Sequence, residues 1–327
     1  MHHRVLLQRS QVAIRRDHPG CYVRKVTFDT TVTLTGPWRR PAQMLAEQSY
    51  DGHSSVHDAT TAASLGLAGA PIEAPTHFSQ FDPLCYLMWG RSWFEEGCIS
   101  CHFQTMVVEG EEVQATVTTS GGTSADLEAH KLDGTSVLRG TASKGPAAAP
   151  SELTRRLSGL GDPGELFVLD QLEVGMAERG VVVSVDFDSP NGDGYPFSLT
   201  DKLERITESH PWYLRERVSD SPWGEAVLPM EMISVLSNKV GAQWPIRRPS
   251  LGLFLDLEVR LIEGPIFVGR SYELSREIIG IGQSRRTESY WTKTTLTDIH
   301  SGRVAAEVLL HSGVFKQSYP GYPPDRL

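Results

Sequence analysis

The chain has 327 residues, 39% hydrophobic and 22% charged, a globular composition long enough for two cores of ordinary size. With 40 acidic against 31 basic residues its formal net charge is −9, which argues against general nucleic-acid binding, where affinity comes from neutralised phosphates. No apolar run approaches the about 20 residues of a membrane-spanning helix, and Arg9, Arg15, Arg16 and Asp17 soon follow the short apolar start without a cleavage site, so a soluble, cytoplasmic protein is expected.

In chain order, an alternating run over 22–34 predicts a first strand. A Gly- and Ala-containing segment, 50–74, leads to Pro75, which opens an apolar run over 76–89. Proline is favoured in the first turn of a helix, so a helix is predicted there, kinked or broken at Pro83. Strands are predicted over 98–108, 112–119, 126–132 and 136–143, separated by turns at Glu109-Gly110 and Asp133-Gly134. Cys98 and Cys101 form a Cys-x-x-Cys pair, but positions i and i+3 of a strand face opposite ways and no second pair exists. Reduced thiols are expected, with Cys21 and Cys85, rather than a metal or redox site. No phosphate loop, dinucleotide fingerprint or zinc-ligand spacing occurs, so neither a metal nor a cofactor is expected.

Lys144-Gly145-Pro146-Ala147-Ala148-Ala149-Pro150 reads as a linker between units 1–150 and 151–327. The second unit repeats the order of the first. A strand over 180–187 precedes Pro229, which opens an apolar run over 230–240. Strands over 253–262, 266–275, 289–299 and 303–315 follow, with turns at Glu263-Gly264 and Ser301-Gly302; 279–287 is additional and 320–327 reads as an uncapped tail. Pro75 and Pro229 are 154 positions apart, as are Gly110 and Gly264. An internal repeat of strand, loop, helix and about four strands can cover its helix only if the sheet curls around it. The expected class is α+β: two antiparallel sheets, each wrapped around one central helix.

The segment before the first helix reads Tyr50-Asp51-Gly52-His53-Ser54-Ser55-Val56-His57-Asp58. Ala-rich residues follow, then Leu65-Gly66-Leu67-Ala68-Gly69-Ala70-Pro71-Ile72-Glu73-Ala74-Pro75-Thr76-His77. This resembles the hydratase motif of the MaoC-like and (R)-specific enoyl-CoA hydratase family, roughly Gly-Asp-x-Asn-Pro-hydrophobic-His before a Gly-rich loop and the central helix. The resemblance implies a hotdog fold, here duplicated as a double hotdog. It also implies an acyl thioester of coenzyme A or a carrier protein as substrate. His57 falls on the family's catalytic histidine. The family's catalytic Asp position is Gly52 and its Asn-Pro is Ser54-Ser55; Asp51 stands one residue early and Asp58 one late.

Hydration of an enoyl thioester needs a group to activate water, a group to protonate the alpha carbon, and donors for the enolate-like oxygen. Backbone N–H groups over Ala74 to His77, at a helix start, suit the last task. Ser54, Gly69, Glu73, Thr76 and His77 are the candidate substrate contacts. The missing carboxylate would come from Asp51, Glu73 or the second unit. There Glu208-Ser209-His210-Pro211-Trp212-Tyr213 matches the motif if two residues of slippage are allowed, placing Glu208 at the Asp and Tyr213 at the His; Glu231 lies on the second central helix. The candidate catalytic set is therefore His57, Asp51, Glu208, Glu231 and Tyr213. Trp38-Arg39-Arg40, Arg247-Arg248 and Ser284-Arg285-Arg286 are candidates for the carrier's phosphates. Two alternatives stand beside a hydratase or dehydratase: a hotdog thioesterase or cyclase using Glu231, and a non-catalytic acyl-thioester-binding subunit, motivated by Gly52. A homodimer of double hotdogs is a further expectation.

Overall fold

The computed structural model describes residues 5–7, 30–50, 53–146 and 149–327. Asp51, Gly52 and most of the first expected strand lie outside them. The first half contributes β1 (Val5–Leu7), β2 (Val32–Thr35), a short hairpin of β3 (Ser49–Tyr50) and β4 (His53–Ser54), and α1 (Ala59–Ser64). A 3-10 helix (Ala74–Gln80), α2 (Asp82–Trp89) and α3 (Ser92–Glu96) lead into β5 (Gly97–Phe103), β6 (Val113–Thr119), β7 (Ser124–Lys131) and β8 (Ser136–Lys144). The second half contributes α4 (Glu152–Ser158), β9 (Ala177–Val183), α5 (Leu199–Arg205), α6 (Met230–Asn238), β10 (Gly252–Leu261), β11 (Tyr272–Gln283), β12 (Thr287–Asp298) and β13 (Val304–Phe315). No helix among the described residues is long and apolar enough to cross a membrane.

The expectation of two separate sheets is corrected. Among the described residues, all strands but β3 and β4, which pair with each other, form one eleven-stranded sheet in the order β1-β2-β6-β7-β8-β5-β10-β13-β12-β11-β9. The halves join where β5 runs antiparallel to β10, with Cys98 opposite Arg260 and His102 opposite Asp256. An edge strand exposes unpaired N–H and C=O groups, and here each half covers one edge of the other.

The expected first helix splits at Phe81. Pro83 falls in the first turn of α2, where its missing N–H costs nothing. In the second half, α6 is buried on every face from Met230 to Ser237, Glu231 included, because the sheet wraps it and the 3-10 helix packs against it. The repeat extends to single hydrogen bonds. The Ile72 N–H donates to the Val107 carbonyl (2.8 Å), and the Leu228 N–H donates to the Ile266 carbonyl (2.8 Å). The segment 279–287 lengthens β11 past a bulge between Ile278 and Gly280. The tail is tied down: Tyr322 is buried, its ring 5.2 Å from that of Phe167.

A row of polar side chains crosses the seam. Arg139, His102, Asp256 and His311 oppose one another on successive strands, and Trp291 stacks on His311 with centroids 4.1 Å apart. Asp256 is fully buried and accepts from Nδ1 of His102 (2.7 Å) and of His311 (2.5 Å), with Arg156 Nε of α4 at 3.0 Å. Burial alone would raise this carboxyl; hydrogen bonds from the two histidines and the nearby positive charge hold it below its usual value.

Packing between β5 and β8 is tight at Gly140. A Cβ there would lie 2.1 Å from the Ser100 carbonyl oxygen and 2.9 Å from Cys101 Cα. Backbone atoms cannot step aside as a flexible side chain would. Gly140→Ala is expected to cost about 1–3 kcal/mol, read as a lower denaturant midpoint.

Candidate active site

His57 sits between two local devices. The β3–β4 hairpin precedes it, and α1 begins just after it, capped by Asp58, whose side chain accepts from the Thr61 N–H at 2.8 Å. The Asp one position late in the motif is thus committed to capping a helix. The His57 N–H donates to Ser55 Oγ at 3.1 Å, and Nδ1 lies 2.7 Å from the Pro71 carbonyl oxygen. A carbonyl only accepts, so Nδ1 carries the proton and Nε2 keeps its lone pair. Burial lowers the pKa of this ring, opposed in part by the Pro71 bond and the Glu73 charge, so the imidazole is neutral at neutral pH.

His57 lines a cavity of about 350 Å³ that both halves enclose. Its polar lining includes Gln48, Tyr50, Glu73, His77, Gln104 and Tyr290; Leu45, Ile72, Phe103, Val137, Phe254 and Leu255 are among its apolar walls. A small, mostly apolar cavity with a few converging polar groups is the usual form of a ligand site.

Glu73 precedes the 3-10 helix and is buried. Its Oε2 is 3.2 Å from Lys202 Nζ, while its Oε1 has no hydrogen-bond partner among the described residues. Lys202 Nζ also lies 3.2 Å from Thr76 Oγ1 and 3.2 Å from Glu231 Oε1, and Ser79 Oγ donates to Glu231 Oε2 at 2.7 Å. Lys202 comes from α5, which starts at a capping box made by Ser198 and Asp201. Burial raises the Glu231 carboxyl, and the Lys202 charge and the Ser79 bond oppose that rise. Burial disfavours the Lys202 ammonium, yet the charges of Glu231 and Glu73 outweigh it and raise the lysine's pKa.

His77 is buried, and its Nδ1 accepts from Gln80 Nε2 at 3.2 Å, so its proton sits on Nε2. Burial, with Lys131 adding to it, lowers its pKa to about 4. The backbone donors expected over Ala74 to His77 are fewer than four. Pro75 has no N–H, and that of Thr76 is bonded to the Glu73 carbonyl at 3.1 Å.

The other expected residues are placed apart. Glu208 is locked to Arg39 by two bonds, Nε to Oε1 at 2.5 Å and Nη2 to Oε2 at 3.1 Å. The Tyr213 hydroxyl donates to Asp82 Oδ2 at 2.9 Å, and Trp93 Nε1 donates to the other oxygen at 2.9 Å; burial pushes the Asp82 carboxyl up to about 7. Neither Glu208 nor Tyr213 lines the cavity, and Glu231 stands behind Lys202 and Glu73. Gly69 lies outside it too, against Val108, whose Cγ1 would be 3.0 Å from an added Cβ. Ser54 pairs with Ser49 across the hairpin, and Asp51 lies outside the described residues. Of the basic pairs, Arg39 is spent on Glu208, Arg40 lies 3.4 Å from Glu112, and Arg247 is paired with Asp170.

Sequence reasoning missed Lys202. Within Leu199-Thr200-Asp201-Lys202 it reads as an ordinary charged helix face, and only the Ser198 cap marks the element at all. It also missed that the two halves differ at the cavity. Ile72, Val107, Leu228 and Ile266 are all buried in one apolar core, but of the four only Ile72 and Val107 also line the cavity. Beside Leu228 and Ile266 the Trp212 and Trp223 rings (centroids 5.1 Å apart) and the Trp223 and Phe267 rings (6.2 Å) pack edge-on.

No family model and no curated protein matches the chain. Solved structures do. A protein of Chloroflexus aurantiacus J-10-fl described as a MaoC domain dehydratase is 14% identical, with a TM-score of 0.53 over 92% of this chain and 99% of that one. A conserved hypothetical protein of Mycobacterium tuberculosis with a double hotdog fold is 12% identical, with a TM-score of 0.54 over 86% of this chain and 96% of that one. At such identity the likeness is one of architecture: the chain shares the double hotdog fold, with its strands joined in one antiparallel sheet.

Proposed function

We propose that this chain adds water to, or removes it from, an acyl thioester of coenzyme A or a carrier protein. In this reading 1–150 and 151–327 are the two hotdog units, His57 is the base and Glu73 supplies the carboxylate that Gly52 does not. The observation that carries it is the meeting of a neutral histidine, its Nδ1 tied to the Pro71 carbonyl, with a buried carboxylate in one largely apolar cavity. A water held between Nε2 and Glu73 would lose one proton to Nε2 as its oxygen adds to the beta carbon. The imidazolium, stabilised by the Glu73 charge, would return that proton to the alpha carbon, so the elements of one water are added and both groups are restored. The His77 Nε2–H is a donor for the thioester oxygen. Dehydration is the same path reversed.

The test is a panel of enoyl and saturated acyl-coenzyme A thioesters of graded length with the purified chain. Loss of enoyl absorbance without free thiol is expected. Thiol release from the saturated members would favour the thioesterase reading, and tight binding without turnover the non-catalytic one. Either result removes the present proposal. The pH profile carries a second expectation. A base whose pKa lies below the ordinary histidine value is unprotonated at neutrality, so kcat/KM should be flat near pH 7 and fall only on the acid side. A base-limited rise centred above pH 7 would exclude His57 from the role.

A further inference from the structure

We propose that Lys202 is a positioning residue for the site: its ammonium, shared between Glu73 and Glu231, fixes Oε2 of Glu73 and leaves Oε1 of that carboxylate for a ligand. The inference rests on the reading that Glu73 works in the cavity, and it concerns a side chain that the hydratase motif does not contain.

The geometry carries it. Lys202 is 2% exposed, Glu73 4% and Glu231 1%, so all three are out of water. Ammonium contacts of 3.2 Å reach Glu73 Oε2, Glu231 Oε1 and Thr76 Oγ1, and the Phe197 ring closes another side at 5.2 Å from Nζ. An unpaired ammonium in such a place would be strongly destabilising, so the lysine is held there by its carboxylates. The same contacts act on the carboxylates in turn. Oε2 of Glu73 is committed to Lys202, and Oε1 is committed to nothing among the described residues. The site is thus completed by a residue from the opposite half of the chain.

One lysine serves two carboxylates, which makes the arrangement competitive. Glu231 is also held by Ser79 and feels the like charge of Glu73. The titratable groups facing Glu73 are His57 and His77 from its own half and Tyr195 and Lys202 from the other, with Glu231 behind Lys202 and Arg276 acting on Tyr195. Among these, Lys202 alone makes an ion pair with Glu73. Removing the lysine should therefore make Glu73 easier to protonate. Removing the Glu231 charge should make Glu73 harder to protonate, because the like charge that repels it across Lys202 is then gone.

The experiment titrates the Glu73 side-chain carboxyl by carbon-13 NMR in full-length protein, assigned with Glu73→Gln, in the wild type, Lys202→Met and Glu231→Gln. The kcat/KM pH profile on an enoyl-coenzyme A is recorded in parallel. Lys202→Met should raise the Glu73 midpoint, move the acid limb the same way and lower kcat by about tenfold with KM less affected, a smaller loss than the about 10²–10⁴-fold of a group that handles the proton itself. Glu231→Gln, which keeps size and shape, should lower the midpoint, and it carries the test alone if Lys202→Met does not fold. A Glu73 midpoint unmoved by Glu231→Gln, or moved in the same direction by both variants, overturns the inference. Opposite shifts in a protein that hydrates no thioester would uphold the role of Lys202 and overturn the hydratase reading. Hydration with unmoved midpoints would do the reverse.

Discussion

The variant His57→Ala is expected to lose enoyl-thioester hydration by about 10²–10⁴-fold in kcat, the usual contribution of a positioned proton-transfer group. KM should change little, since the ring is proposed to act on the water as it adds rather than on the bound acyl chain. The fold should survive. Among the described residues the side chain has one hydrogen bond, from Nδ1 to the Pro71 carbonyl, and losing a bond of this kind costs about 1 kcal/mol. His57→Asn separates the two roles of the ring. Its amide can still donate to a carbonyl, but it has no basic nitrogen. It should be as inactive as the alanine variant, in initial rates of enoyl consumption, while recovering part of any lost stability. Wild-type kcat in the asparagine variant would remove His57 as the base.

Asp256→Ala should be the most damaging single change to stability. The buried carboxylate accepts from two histidines and faces Arg156, and its removal leaves both histidines without their acceptor and Arg156 without its counter-charge at the join between the halves. Removing one partner of a buried charged network costs about 3–5 kcal/mol, which urea titration would read as a lowered midpoint. The pH dependence follows in sign. The folded carboxyl is held below its unfolded value of about 4, so its stabilising contribution is complete above that value and is lost as pH falls through the folded one. The wild type should lose stability on acidification through this range more steeply than Asp256→Ala. Equal slopes would mean that the row is not linked to folding.

Much of the architecture is legible because it is written in local chemistry. Pro75 and Pro229, the Glu-Gly turns and the period-two runs place the central helices and most strands. The join between β5 and β10 is not local. It depends on two edges far apart in sequence, and the one hint is that Gly97 to Cys101 are buried without alternation, as in a strand covered on both faces. The short helices α1, α4 and α5 are too brief to show a period. At the site, the motif led to His57, Glu73 and His77, which share the cavity, and to Thr76 beside Lys202. The slipped match in the second half led to Glu208 and Tyr213, whose partners Arg39 and Asp82 hold them elsewhere. Side-chain pairing across 129 positions, as between Lys202 and Glu73, leaves no periodic trace.

The packed rings of Trp212, Trp223 and Phe267 set the second copy of the repeat apart from the first. Where the first copy opens onto the cavity at Ile72 and Val107, the matching place in the second is filled with aromatic bulk. Change at Ile72 or Val107 is then judged twice, by what can enter the cavity and by whether the core still packs, whereas change at Leu228 or Ile266 is judged by packing alone. The walls of the cavity, drawn from both copies and in part from the core itself, therefore cannot change toward a new ligand independently of the scaffold that holds them.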